Sequence, residues 1–361
     1  MICPRKTSTL ALAAALAFVL AKAVPVPYAR AQQAQPVPPP PPAAPTEDPH
    51  AVIRARVDLV VVPVTVKDTS GGLVDDLRED EFRVLEDGVE QKVALFSTDT
   101  FSLSTVVILD DGLKSKTSER VKQTLVAIAG AFSESDEVAV GRFDAYYTPV
   151  LDFTNDNDKL ITALKGVDLG NQSFSTTTTG NGPTPPSPSA GSSIPAPGIG
   201  GIPTTNPFHP PNTKHIDDAL YEAAQMLKTR GRDRRKIVLI VSDGANGRYN
   251  SHTSSETMKT LLSSDISVYA IGLDQAVLLR GTTDLSHYAH QTGGDVYYAL
   301  HESDLPSLYA QTSEEARHQY TIGYVPAGTD RGKLYHSIEV RIRRPGLTLL
   351  CRDGYYLVPR N

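Results

Sequence analysis

The rhythm of apolar positions changes twice along the chain. Residues 56–67 (RVDLVVVPVTVK) are apolar and β-branched, and a turn follows at 68–72. Short strand patterns at 82–85 and 93–97 flank the turn Glu86-Asp87-Gly88, which predicts a β module without helices. From Ser104 the pattern alternates strand with helix. The run 105–110 (TVVILD) predicts a buried strand, and 118–132 carries Val121, Leu125, Ile128 and Phe132 at helical spacing. A strand at 136–143, an edge strand at 147–153 and a helix at 156–167 follow. Further on, 216–229 predicts a helix with Ala219, Leu220, Ala223 and Leu227 on one face, and 236–244 (KIVLIVSDG) a central strand. Helices at 254–262, 283–291 and 305–318 alternate with strands at 267–273 and 295–299. Continuous apolar strands between amphipathic helices imply a doubly wound, mostly parallel sheet covered on both faces.

After residue 320 the period returns to two: 320–326 (YTIGYVP), a turn at 329–332, 336–344 (HSIEVRIRR), 347–351 and 355–358. Neither flank carries enough strands to bury a core alone. The expectation is an α/β domain at 101–319 with a flanking β-sandwich built from 50–100 and 320–361, since the ends of compact domains commonly lie close together.

The first thirty-one residues read as an address. Arg5 and Lys6 precede the apolar run 10–21 (LALAAALAFVLA), and small residues follow at Ala21, Ala23, Ala29 and Ala31. This is the order of a secretory signal. The run has 12 residues, short of the roughly 20 that span a bilayer, so an uncleaved anchor is the weaker reading. Cleavage after Ala31 fits best, with Ala23 as the alternative. Residues 32–49 hold eight prolines and predict an extended polyproline spacer. Residues 170–212 hold ten prolines and a TTTTG run with almost no aliphatic residues, which predicts a disordered insert. Such loops are functional or merely tolerated.

Composition narrows the function. The chain of 361 residues carries 35 basic and 41 acidic side chains, a net charge of -6. Losing 1–31 removes Arg5, Lys6, Lys22 and Arg30 and no acid, so -6 becomes -10. Nucleic-acid binding is disfavoured by that balance. Cys3 and Cys351 are the two cysteines, too few and too far apart for a thiolate metal site or disulfide framework. Cys351 reads as a small apolar residue on a strand. No H-E-x-x-H, G-x-S-x-G, Walker A or G-x-G-x-x-G motif occurs, and the chain is read as a non-enzyme. His287 and His290 lie three apart on a helix without a third ligand nearby in sequence, so they read as surface or partly buried side chains rather than metal ligands. The basic run 230–236 (RGRDRRK) reads as a solvated loop at a helix end.

The chemistry concentrates where apolar strands end in acid. VVIL runs into Asp110-Asp111, and IVLIVS runs into Asp243. In an open parallel sheet ligands gather at the carboxyl ends of the strands, and converging carboxylates need a cation or several hydrogen bonds. Aspartate also caps following helices, the alternative for each acid alone.

These segments resemble the von Willebrand factor A-type (VWFA) domain. TVVILDDGLKS stands where that family has an apolar strand ending in D-x-S-x-S, HIDDALYEAAQML resembles the helix after its metal-binding threonine loop, and KIVLIVSDGANG resembles its strand ending in T-D-G. ISVYAIGL resembles the strand after that. With the leader, the flank VTVKDTSGGLVDDLREDEFRVLEDG and the tail RIRRPGLTLLCRDGYY, the chain more narrowly resembles the A-domain-containing proteins described from Acidobacteria, over roughly residues 50–361. The resemblance implies a magnesium-type site of oxygen ligands and a protein ligand whose carboxylate completes the coordination.

That site is degenerate here. Counted from Asp110, the two serine positions hold Gly112 and Lys114. Counted from Asp111, they hold Leu113 and Ser115. The threonine position falls on Lys214, or on Thr213 with a one-residue slip. The metal set implied by the resemblance is thus Asp110, Ser115, Thr213 and Asp243, and the ligand-binding set Asp110, Asp111, Lys114, Lys214 and Asp243. Three states follow. Lys114 or Lys214 places its ammonium where the cation would sit, or a weak site for Mg2+ or another divalent ion is retained, or the charges are solvated. The expectation is an exported protein-binding, adhesion or envelope-assembly module, secreted or periplasmic and not integral to the membrane after signal cleavage. A metal-dependent hydrolase using the aspartates and a structural scaffold are the alternatives.

Overall fold

The computed structural model describes residues 59–170, 214–327 and 332–357. The expected leader, the proline-rich spacer, most of the insert and Thr213 lie outside them. In chain order the strands and helices are β1 (Val60–Lys67), β2 (Phe82–Glu86), β3 (Val89–Gln91), β4 (Val93–Ser97), β5 (Leu103–Asp110), α1 (Ser115–Thr124), α2 (Val126–Gly130), β6 (Glu137–Phe143), β7 (Tyr147–Thr154) and α3 (Asn157–Gly166). There follow α4 (Ile216–Lys228), β8 (Arg235–Ser242), α5 (Ser254–Ser263), β9 (Ile266–Gly272), α6 (Asp274–Leu278), α7 (Asp284–Thr292), β10 (Val296–Tyr298), α8 (Leu305–Arg317), β11 (Tyr320–Tyr324), β12 (Tyr335–Ile342), β13 (Thr348–Cys351) and β14 (Gly354–Tyr356).

The central sheet has the order β10-β9-β8-β5-β6-β7. All its pairs are parallel except the edge pair of β6 with β7. Every residue of β5 is buried, as a strand covered on both faces requires. Its alternation divides the core. Leu103, Val107 and Leu109 pack with residues of α1, α2, α3 and α8, whereas Val106 and Ile108 pack with residues of α4, α5 and α7. Truncating a fully buried anchor such as Leu220 to alanine typically costs about 2–5 kcal/mol.

Two four-stranded antiparallel sheets, β13-β1-β11-β4 and β14-β12-β2-β3, enclose a third core. Val62 and Val64 of β1 and Val84 of β2 meet Ile322 and Tyr324 of β11 and Val340 of β12 there. The sandwich therefore draws on both flanks, and the fold class is the expected one: a doubly wound α/β unit with a β-sandwich of N- and C-terminal strands. Cys351 is half-buried against this core, and burial pushes its thiol up to about 11.

Three local expectations differ. The helix expected at 118–132 is two, broken at Leu125. A short strand, β3, follows the Asp87-Gly88 turn and pairs with β2, while β4 crosses to the other sheet. The 230–236 run is not a solvated loop: Arg230 forms a bidentate pair with Glu137, Arg234 donates to the Leu103 carbonyl at 2.9 Å, and buried Arg235 donates to Gln319 Oε1 at 2.5 Å.

Candidate functional site

Strands β5 and β8 are adjacent and in register, with Leu109 opposite Val241. Their carboxyl ends therefore place Asp110 beside Ser242 and Asp243, where a doubly wound sheet collects its ligands. Lys214, just before α4, completes the group. Its Nζ lies 3.0 Å from Asp110 Oδ2 and 2.8 Å from Asp243 Oδ2, and the residue is 5% exposed. Ser242 Oγ donates to the same Asp110 oxygen at 2.7 Å. The remaining carboxylate oxygens are also held, since Gly112 N donates to Asp110 Oδ1 at 2.9 Å and Ala245 N to Asp243 Oδ1 at 3.0 Å.

The backbone fixes the lysine from two sides. His215 N donates to the Asp144 carbonyl at 2.8 Å, and the Lys214 carbonyl accepts from Gly247 N at 2.6 Å. Glycine at 112 makes room for the side chain: a Cβ there would stand 2.7 Å from Lys214 Cε and 3.0 Å from Asp144 Oδ1. The glycine in a serine position and the lysine in the threonine position are thus one steric unit.

Burial dominates the protonation of Asp110 and pushes it up to about 6; Lys214 pulls it back and Asp243 raises it further. Burial also disfavours the Lys214 ammonium, but the Asp110 and Asp243 carboxylates together outweigh that cost and hold it above the ordinary lysine range. At neutral pH the triad is two carboxylates closed on one ammonium. This donor set does not fit a hard divalent ion, which wants near-octahedral oxygen ligation, because an ammonium stands between the two acids.

The other expected residues go elsewhere. Lys114 is the exposed N-cap residue of α1 and bonds to neither aspartate, so of the two lysines it is not the one that fills the cation position. Ser115 is exposed as the first residue of that helix and contributes no bond to the acids. Asp111 leaves the cluster, accepting from Arg142 Nη1 at 3.0 Å and from Gly170 N at 2.8 Å. The helical spacing around residue 118 gave no warning of this, because the helix begins one residue after Lys114 and carries it outward.

Two contributors were not anticipated. Ser242, the residue before the expected aspartate, supplies a hydroxyl to Asp110. Asn246 ties the next loop together, donating to Asp217 Oδ1 at 3.1 Å and Asp284 Oδ2 at 2.9 Å while accepting from Ile216 N at 3.1 Å. An asparagine three residues after a strand-end aspartate was the available signal. Asp217 is raised by burial and is bonded by the Tyr288 hydroxyl at 2.8 Å. Tyr146 follows Asp144 by two residues and Tyr249 follows Gly247 by two, and they are 83% and 75% exposed. His287 and His290 are exposed on α7 beside an open groove of about 520 Å³.

No protein-family model matches the chain, and no curated protein matches it. Among solved structures it is similar to a von Willebrand factor type A protein from Catenulispora acidiphila, at 9% identity over 81% of this chain and 71% of that one, with a TM-score of 0.42. It is also similar to BatB from Bacteroides thetaiotaomicron, at 12% identity over 60% of this chain and 98% of that one, TM-score 0.40. A third is proximal thread matrix protein 1 of the mussel byssus with a zinc-occupied MIDAS motif, at 14% identity over 62% of this chain and 49% of that one, TM-score 0.41. The chain spans about half the length of the byssus protein. In its own strand order, with one antiparallel edge strand and acids at the carboxyl ends of β5 and β8, the six-stranded unit has the doubly wound, mostly parallel arrangement expected from the resemblance to the von Willebrand factor A-type domain.

Proposed function

We propose that the chain is an exported protein-binding module whose sheet-top rim is closed by a lysine in place of a metal ion. The observation that carries this reading is the ion-paired placement of Lys214 between Asp110 and Asp243. Backbone hydrogen bonds tie the Lys214 segment to Asp144 and Gly247, and Tyr146 and Tyr249, each two residues beyond one of these anchors, are exposed. Tyrosines that are exposed on a rigid frame are favoured anchors of protein interfaces, combining large contact area with a polar tip. Among the described residues no helix is long and apolar enough to cross a membrane. The leader expected from the sequence supports an extracytoplasmic destination.

The test is crosslinking capture from the native envelope by the purified chain, with EDTA and with magnesium. The reading expects one set of partners, the same under both conditions, weakened at least tenfold by Tyr146→Ala with Tyr249→Ala. Capture that requires magnesium would contradict it, as would capture indifferent to the tyrosines and to Lys214→Met. Hydrolytic turnover abolished by Asp243→Ala would establish an enzyme instead.

A further inference from the structure

A second cluster of ligating groups lies in the sandwich. Strand β2 ends at Glu86, and Asp87 turns the chain into β3 with a positive φ of 49°. Strand β12 pairs beside β2 with Ile338 opposite Glu86, so His336, two residues earlier, shares the Glu86 face. His336 is fully buried and Glu86 is 4% exposed. His336 Nε2 lies 3.1 Å from the Lys333 carbonyl, an oxygen that only accepts, so Nε2 carries a hydrogen. Nδ1 then faces Asp87 Oδ2 at 2.8 Å and Glu86 Oε1 at 3.7 Å. A nitrogen lone pair against two carboxylates requires a positive charge between them, either a proton or a metal ion.

Each carboxylate is held by its far oxygen. Glu86 Oε2 accepts from the Tyr355 hydroxyl at 3.2 Å, and Asp87 Oδ1 accepts from Lys333 Nζ at 2.5 Å and from Ser337 N and Oγ at 3.1 Å. The near oxygens converge with Nδ1, and one ligand atom from each of the three residues lies within 4.8 Å of the others. Two ligands of a tetrahedral zinc ion, bound at roughly 2.0–2.1 Å, stand about 3.3 Å apart, close to these spacings. A ring nitrogen that donates to a backbone carbonyl while its opposite nitrogen faces the ion is the usual support of a metal-bound histidine. The Asp87 side chain is 29% exposed and gives the cluster an edge on solvent.

We propose that Glu86, Asp87 and His336 bind one zinc-class divalent ion, which fastens the β2–β3 turn to β12. One imidazole with two carboxylates favours such an ion over magnesium, whose preference is all-oxygen octahedral ligation. The test is titration of the chelator-stripped chain with zinc chloride alone, by calorimetry and by metal content after gel filtration, followed by cobalt(II) substitution read in the visible spectrum. One zinc per chain is expected. Its affinity should fall at least tenfold in His336→Gln and in the milder Glu86→Gln, be unchanged in His290→Gln, and give a tetrahedral cobalt band. Circular dichroism of each variant separates lost binding from lost folding. Absence of stoichiometric zinc in the folded wild type would overturn the proposal, as would zinc that survives in folded Glu86→Gln and disappears in His290→Gln.

Discussion

At the scale of single residues, Lys214 is the cation of the sheet top. Removing one partner of a buried ion pair leaves the others uncompensated and costs about 3–5 kcal/mol. Lys214→Met should therefore lose that much in urea unfolding at pH 7. The sign of the pH dependence follows from the acids. Asp110 already has a folded value raised to about 6 by burial, so its fold favours the protonated form, and stability from this group falls as pH rises from the ordinary aspartate value through 6. Without the ammonium the upward shift grows, and the variant should regain stability on going from pH 7 to pH 4 by more than the wild type does. The lysine works in the opposite window. Its folded value is raised, so its contribution is complete below the ordinary lysine value of 10.5 and is lost only as pH climbs through the folded one. A Lys214→Met deficit that is the same at pH 4 and pH 7 would contradict the triad.

At the scale of elements, a second lysine fastens the sandwich to the α/β unit. Lys67, the last residue of β1, reaches Asp295 ahead of β10 at 2.6 Å and Glu315 of α8 at 2.5 Å. It also donates to the Tyr297 hydroxyl at 3.1 Å, and that hydroxyl donates to Glu315. Burial works against the Lys67 charge, and Glu315 and Asp295 restore it above the ordinary range. Gln319, between α8 and β11, extends the junction to Thr65 and Tyr269. Lys67→Met should cost about 3–5 kcal/mol, since it strands Glu315 at 1% exposure. A loss below about 1 kcal/mol in urea unfolding would show that the junction rests on packing alone. Elements of this kind mark what was legible in sequence. The continuous apolar runs of β5, β8 and β9 and the faces of α4 and α5 were legible, because burial on one or both sides writes itself into periodicity. The break at Leu125, the short β3 and the inward-turned arginines of 230–236 were not. The arginines are turned inward by Glu137 and Gln319, which lie 84 or more residues away from them in sequence.

At the scale of the whole molecule, two regions of the chain build one sandwich with its own core, and the central sheet's strand order brings Asp110 and Asp243 to a single edge, where Lys214 joins them. The aspartates were legible as a pair because each ends a strongly apolar strand. The choice between Lys114 and Lys214 was not, because it depends on a helix start at Ser115 and on the space that Gly112 leaves. The central claim is that the cation position of this edge is filled from within, by the Lys214 ammonium. Calorimetric titration of the chelator-treated chain with magnesium tests it most directly. No saturable heat that depends on Asp243 is expected in the wild type. Micromolar binding of magnesium to the wild type, abolished by Asp243→Ala, would contradict the account.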